Sequence, residues 1–197
     1  MIKIGIVGNI GSGKSFISKK FGYPVFDADK EVRNIYNSDI ACFKKLNKLF
    51  PKHILSFPIK KKKLINLILS NENNLKKINK VIHPIVRKKL NYFFKKNKKK
   101  NFVVLDIPLL LENKLNKKGY IIIFIDAKKK NILFNLKKRK NYNFKILKKL
   151  EKLQLPSEIK KKKSNYIIKN NFKEIDIKKN VKLIKEKFKS ETNSFRY

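Results

Sequence analysis

Gly8-Asn9-Ile10-Gly11-Ser12-Gly13-Lys14-Ser15 is the stretch from which the rest of the chain is read. Its spacing is G-x-x-x-x-G-K-S. The apolar run Ile2 to Val7 before it predicts a buried strand. Lys14 to Phe21 after it predicts a helix, ended at Gly22 with Pro24 beyond. Each part of the motif has a physical task. Gly8 and Gly13 permit backbone conformations that bulkier residues resist. The loop amides then turn inward as an anion nest, and the positive end of the following helix adds to it. Lys14 is placed to reach the outer phosphates of a nucleotide, and Ser15 to offer its hydroxyl to Mg²⁺. With a strand before it and a helix after it, the motif is a P-loop.

Outward from the loop, strands and helices alternate. Pro24 to Asp27 reads as a second strand and Asp29 to Tyr36 as a helix. Between 40 and 97 the pattern becomes helical, with Phe43, Leu46 and Leu49, then Ile78, Ile82, Ile85 and Phe93, at helical spacing. Pro51 and Pro58 punctuate this stretch. Strand signals return at Phe102 to Ile107 and, most strongly, at Tyr120 to Ile125. Helices follow over 129–138 and 144–153, then a short strand over 165–168. A closing amphipathic helix carries Ile177, Val181, Ile184 and Phe188, and Ser190 to Tyr197 reads as a frayed end. Such alternation predicts an α/β three-layer P-loop fold, a parallel sheet of about five strands flanked by helices, with ligands at the carboxyl ends of the strands. One domain over 1–197 is expected, with a core at about 1–38, 101–127 and 155–190, a helical insert at 39–100 and a small lid at 128–154.

Composition narrows the class. The 197 residues suffice for one sizeable core, and 42% hydrophobic content is not that of a disordered chain. The net charge of +38 would suit a polyanionic partner, but only four of the 52 basic residues are arginine: Arg33, Arg87, Arg139 and Arg196. Sequence-reading nucleic-acid binders favour arginine's bidentate fork. Lys, Asn and Ile are residues of A/T-rich codons, so the charge reads as compositional bias, and no specific nucleic-acid partner is expected. The lysine runs at 60–63, 98–100 and 160–163 read as solvated faces. The single cysteine, Cys42, cannot form an internal disulfide and reads as a buried apolar group. No run of 18 apolar residues marks a membrane span, and the segment ahead of the P-loop is too short for a signal sequence. A cytoplasmic, membrane-free protein is expected.

Acidic groups near the strand ends are the remaining candidates. Asp27-Ala28-Asp29 follows the second strand, where phosphoryl transfer to a hydroxyl needs a carboxylate to orient that hydroxyl and take its proton. One of the two aspartates is expected to cap the next helix while the other works on the substrate. Asp106 ends the third strand and is a candidate for outer-sphere contact with Mg²⁺. Arg139 is a lone arginine among lysines, suited to clamp a phosphate. His83-Pro84 reads by physics alone as a helix break rather than a site.

Together these motifs resemble those of the dephospho-CoA kinase family over about residues 2 to 172. The resemblance rests on GNIGSGKS at 8–15, Asp27-Ala28-Asp29, His83-Pro84, Pro108-Leu109-Leu110-Leu111-Glu112, Arg139, Gln154 and Tyr166-Ile167-Ile168-Lys169-Asn170-Asn171. It implies transfer of the γ-phosphoryl group of ATP to the ribose 3′-hydroxyl of dephospho-CoA, the last step of coenzyme A synthesis. By the same resemblance Asp29, Lys14 and Arg139 are catalytic. Gly8, Asn9, Ile10, Gly11, Ser12, Gly13, Lys14, Ser15 and Phe16 hold ATP. Asp29, His83, Leu110 and Glu112 hold the acceptor, Ser15 holds Mg²⁺, and the protein is a monomer. Some positions depart from the family pattern: Asn9 for Gly, Phe16 for a Thr hydroxyl near the α-phosphate, Phe50-Pro51 for Phe-Gly, Lys61 for Arg, and Lys140 where an acid is expected.

Three other readings stay open on sequence: another small-molecule kinase on the same fold, a basic nucleic-acid-binding P-loop protein, and an inactive relative marked by Phe16. GTPases would show an N-K-x-D motif, which this chain lacks.

Overall fold

A computed structural model describes residues 1–116, 119–139 and 142–194. Lys140 and Arg196, both singled out in the sequence, lie outside the described residues. The elements run β1 (Ile2–Gly8), α1 (Lys14–Lys20), β2 (Val25–Asp27), α2 (Ala28–Ser38), α3 (Ile40–Leu49), α4 (Lys61–Ser70), α5 (Glu72–Lys96), β3 (Phe102–Asp106), β4 (Tyr120–Ala127), α6 (Lys129–Lys137), α7 (Phe144–Glu151), α8 (Ser157–Lys162), β5 (Tyr166–Asn170) and α9 (Glu174–Ser194).

The chain divides into two compact units: residues 1–26 with 99–197, and residues 27–98. In the first, the five strands form one sheet in the order β2-β3-β1-β4-β5. β1 pairs in parallel with β3 and β4, and β4 with β5. Every residue of β3 is buried, as its uninterrupted FVVLD run requires of a central parallel strand. Ile4, Ile6, Val104, Ile123 and Ile125 pack with Ile17 and Phe21 of α1 and Ile177, Val181 and Phe188 of α9. Burying each such side chain is worth about 1.5–3 kcal/mol. The five-stranded parallel α/β fold expected from the alternation is the fold observed.

The second unit is four helices, α2 to α5, around Ile35, Cys42, Leu46, Phe50, Leu64, Leu67, Ile78 and Ile82. Cys42 is fully buried there; burial, then Asp39, pushes its thiol up to about 11, a structural rather than nucleophilic state.

Three local expectations need correction. Pro84 does not break a helix: α5 runs unbroken for 25 residues through it. Proline removes one backbone hydrogen bond, and burial of Ile78 and Ile82 on the turns before it carries the helix through. The residues from Ser190 to Ser194 are not frayed, since α9 continues to Ser194. The third correction is α8, a helix that the sequence reading left out, and it includes Lys160 of the lysine run expected to be solvated.

Candidate active site

The phosphate loop leaves the carboxyl end of β1 and enters α1 at Gly13. Gly13 caps that helix with φ 91°, a left-handed conformation that L side chains rarely adopt. A Cβ there would also lie 2.5 Å from Asn170 Nδ2. At the other end of the loop, a Cβ on Gly8 would meet the Ile125 carbonyl at 2.9 Å. Two of the motif's glycines are thus demanded by conformation and by space. The Lys14 ammonium donates to the carbonyls of Gly8 at 3.1 Å and Asn9 at 2.9 Å, which holds it across the loop. Ser15 is exposed in the first turn of α1, and Phe16 beside it is 43% exposed. No acidic side chain stands in that first turn to compete with an anion. The Ser12 hydroxyl is buried and has no hydrogen-bond partner.

Residues distant in sequence fix this loop from outside. Asn170, at the end of β5, donates from Nδ2 to the Ser12 carbonyl at 2.8 Å and accepts from the Phe172 amide at 2.8 Å. The Ile10 amide donates to Gln154 Oε1 at 3.3 Å. Ser157 Oγ sits against both ends of the Asn9 amide, 2.8 Å from Nδ2 and 3.0 Å from Oδ1.

The Pro108–Glu112 turn follows β3. Leu109 adopts φ 60°, unusual for a leucine and a cost of about 1–3 kcal/mol. The turn is held because it buries Leu110 and Leu111, at 1% and 5% exposure. Leu110 fills the space above Gly5, where a Cβ would come within 2.5 Å of its Cδ2. Its side chain is therefore a core group. Glu112 Oε1 accepts from the Leu155 amide at 3.0 Å and lies 3.9 Å from Lys160 Nζ. Asp106 is buried at the carboxyl end of β3, the strand paired with β1. Arg139 is exposed just past the end of α6 rather than on the helix, its amide donating to Leu136 O at 3.0 Å.

In the second unit, Asp27 and Asp29 differ in setting. The Asp27 side chain caps α2 by accepting from the Lys30 amide at 2.8 Å. Asp29 is exposed in the first helical turn. His83 is half-buried on α5, where burial, then the Arg87 cation one turn on, lower its pKa and favour the neutral imidazole.

Sequence reasoning missed Ser157 and Lys160. The Pro156-Ser157-Glu158 start of α8 was a legible helix signal. Nothing in a run of four lysines distinguishes the buried one. No cluster of three or more His, Cys, Asp or Glu able to hold a metal occurs among the described residues. No described helix is long and apolar enough to cross a membrane.

Comparison with known proteins agrees with this architecture. A dephospho-CoA kinase family model matches residues 2–176. A dephospho-CoA kinase of Rickettsia conorii is 31% identical over 191 residues, covering 94% of this chain and 97% of the relative. One from a Wolbachia of Brugia malayi is 40% identical over 114 residues, 55% of this chain and 58% of the relative, so against such relatives the match spans a little over half their length. The crystal structure of TT1252 from Thermus thermophilus superposes with a TM-score of 0.74 at 26% identity, covering 94% of this chain and 97% of that one. A family model matched over residues 2–176 and a relative more than 30% identical along nearly the whole of both chains place this chain in the dephospho-CoA kinase family.

Proposed function

We propose that the protein transfers the γ-phosphoryl group of ATP to the ribose 3′-hydroxyl of dephospho-CoA, giving ADP and coenzyme A. The observation that carries this reading is the phosphate loop itself, with Lys14 held across it and long-range bonds fixing it from outside. A loop held in shape by bonds of its own protein stabilises charge in the transition state with little reorganisation. The loop amides and Lys14 hold the β- and γ-phosphates, with Phe16 at the edge of the nucleotide site. Asp29 orients the acceptor hydroxyl and takes its proton, because Asp27 is spent on the helix cap. Arg139, exposed just past α6, closes over the transferring group as part of a lid that limits water attack. The helical unit 27–98 binds the acceptor, with neutral His83 among its contacts, and Leu110 and Glu112 are the acceptor-binding residues of the other unit.

Mg²⁺ fits the donors present. The exposed Ser15 hydroxyl and the buried Asp106 carboxylate are hard oxygen donors, and the described residues form no protein cage of their own. That suits an ion that keeps several waters and binds mainly through substrate phosphates. Ser15 would hold the ion with Asp106 behind it, and when bound it would supply positive charge against that of the phosphates. We further propose that the protein acts as a cytoplasmic monomer.

The test is ADP release by the purified protein with Mg²⁺-ATP, with and without dephospho-CoA, beside Lys14→Ala and Asp29→Asn. We expect acceptor-dependent release, reduced at least about a hundredfold in both variants. ATP binding with no acceptor-dependent turnover would sink this reading and leave a different acceptor.

A further inference from the structure

Lys160 is the chain's anomaly. In a protein whose lysines mostly face solvent, its side chain is 1% exposed, and its ammonium has no hydrogen-bond partner. A buried ammonium without hydrogen bonds is costly unless a charge compensates it. The compensating charge is Glu112, 3.9 Å away, too far for a hydrogen bond but close for an ion pair in a poorly solvated setting. Burial lowers the Lys160 pKa, and Glu112 acts against that shift.

The geometry around this pair gives it a use. Glu112 Oε1, the oxygen that faces Lys160, also accepts from the Leu155 amide. Leu155 is flanked by Gln154, which accepts from the Ile10 amide, and two residues later Ser157 grips the Asn9 side chain. Segment 154–160 is therefore tied at one side to the Pro108–Glu112 turn and at the other to the phosphate loop. Of the two charged residues in that strap, Glu158 is exposed and Lys160 is buried.

We propose that Lys160 is a positioning residue: its buried ammonium holds Glu112, and through Glu112 keeps segment 154–160 pressed on the phosphate loop in its nucleotide-binding shape. Lys160 touches no reacting atom in this account. The inference rests on the reading of the loop as an ATP site, and not on which acceptor is used.

The experiment measures the affinity of a fluorescent ATP analogue, the thermal midpoint and acceptor-dependent turnover for wild type, Lys160→Met, Glu112→Gln, the double variant and Ser157→Ala. Methionine matches the lysine stem without its charge, but it leaves the largely buried Glu112 carboxylate without its cation, and removing one partner of a buried pair is destabilising. We expect Lys160→Met to lower the thermal midpoint and, per folded molecule, to lower analogue affinity about tenfold, the weight of one hydrogen bond in loop placement. Glu112→Gln should weaken binding similarly, and the double variant no more than the worse single, because both act through one linkage. Ser157→Ala, which leaves the ion pair intact, should cost about threefold, a fraction of one hydrogen bond.

A lowered midpoint in Lys160→Met with unchanged affinity per folded molecule would reduce the lysine to a packing role and overturn the proposal. Multiplying losses in the double variant would overturn the shared linkage. If Lys160→Met does not fold, Glu112→Gln and Ser157→Ala decide, and unchanged affinity in both overturns it. Wild type that binds the analogue but shows no acceptor-dependent turnover refutes the acceptor reading alone. Wild type that does not bind the analogue refutes both.

Discussion

The two units of this chain hold their chemistry in different ways. Around the phosphate loop, the bonds that matter join residues far apart in sequence: Ser12 to Asn170, Ile10 to Gln154, Asn9 to Ser157. In the helical unit the side-chain bonds to backbone are local caps and loop ties, Asp27 to Lys30, Asp39 to Cys42, Asn47 to Ile54. Cohesion there comes from an apolar centre of Leu46, Leu67, Ile78 and their neighbours. Local caps and apolar packing tolerate drift in surface composition, since neither depends on which polar residue lies outside. Non-local polar bonds do not, because each names its partner. That contrast accounts for lysine on nearly every free surface alongside an intact set of Gly, Asn, Ser and Gln contacts at the loop.

The sharpest way to break this comparison is at the two aspartates that join its halves in sequence. Asp29→Asn should lower acceptor-dependent kcat by about 10²–10⁴-fold with the thermal midpoint little changed. Asp27→Ala should do the reverse, costing about 1 kcal/mol as a lost cap, read as a midpoint about 2–4 °C lower with kcat per folded molecule retained. Reversed outcomes would mean that the capping geometry of Asp27 does not describe the working enzyme. The next largest effect tests the apolar half. Leu46→Ala, at a fully buried site, should cost about 2–5 kcal/mol in denaturant unfolding. On the polar half, Gly13→Ala should cost about 1–3 kcal/mol through its left-handed backbone alone, with a further loss of nucleotide affinity as Asn170 is displaced.

The same contrast explains what could be read before the structure. β1, the phosphate loop and α1 are written in one contiguous stretch, and the apolar runs of β3 and β4 identify central strands by themselves. The four-helix unit was visible as helical spacing, because its cohesion is periodic. α8 shows no such spacing, only the start signal at Pro156-Ser157-Glu158, since its six residues hold one apolar side chain, Ile159, and that one is 41% exposed. What orders this helix is contact with Asn9 and Glu112, which no local pattern encodes. Lys160 failed the same way: as one of four lysines it reads as solvated, and only the turn after β3 reveals why it is not. Pro84 misled in the opposite sense, since the local rule for proline gave way to the packing of Ile78 and Ile82. That one of Asp27 and Asp29 would cap α2 was expected, and the Lys30 amide shows that it is Asp27.

The smallest predicted effect lies in the helical unit and tests whether any titrating group there couples to its stability. His83 has its pKa lowered in the folded state by burial and then by Arg87. Lowering means that the unfolded chain binds the proton more readily, so the stabilisation from neutral His83 is complete above the ordinary histidine value of about 6.5. It is lost as pH falls from there through the folded-state value. Urea unfolding of wild type should therefore weaken more steeply below about pH 6.5 than that of His83→Gln, and the two should run in parallel above it. Parallel curves across the whole range would mean that protonated His83 is solvated as well in the folded as in the unfolded chain. The half-buried imidazole would then be a surface group, and the helical unit would depend on apolar packing and caps alone.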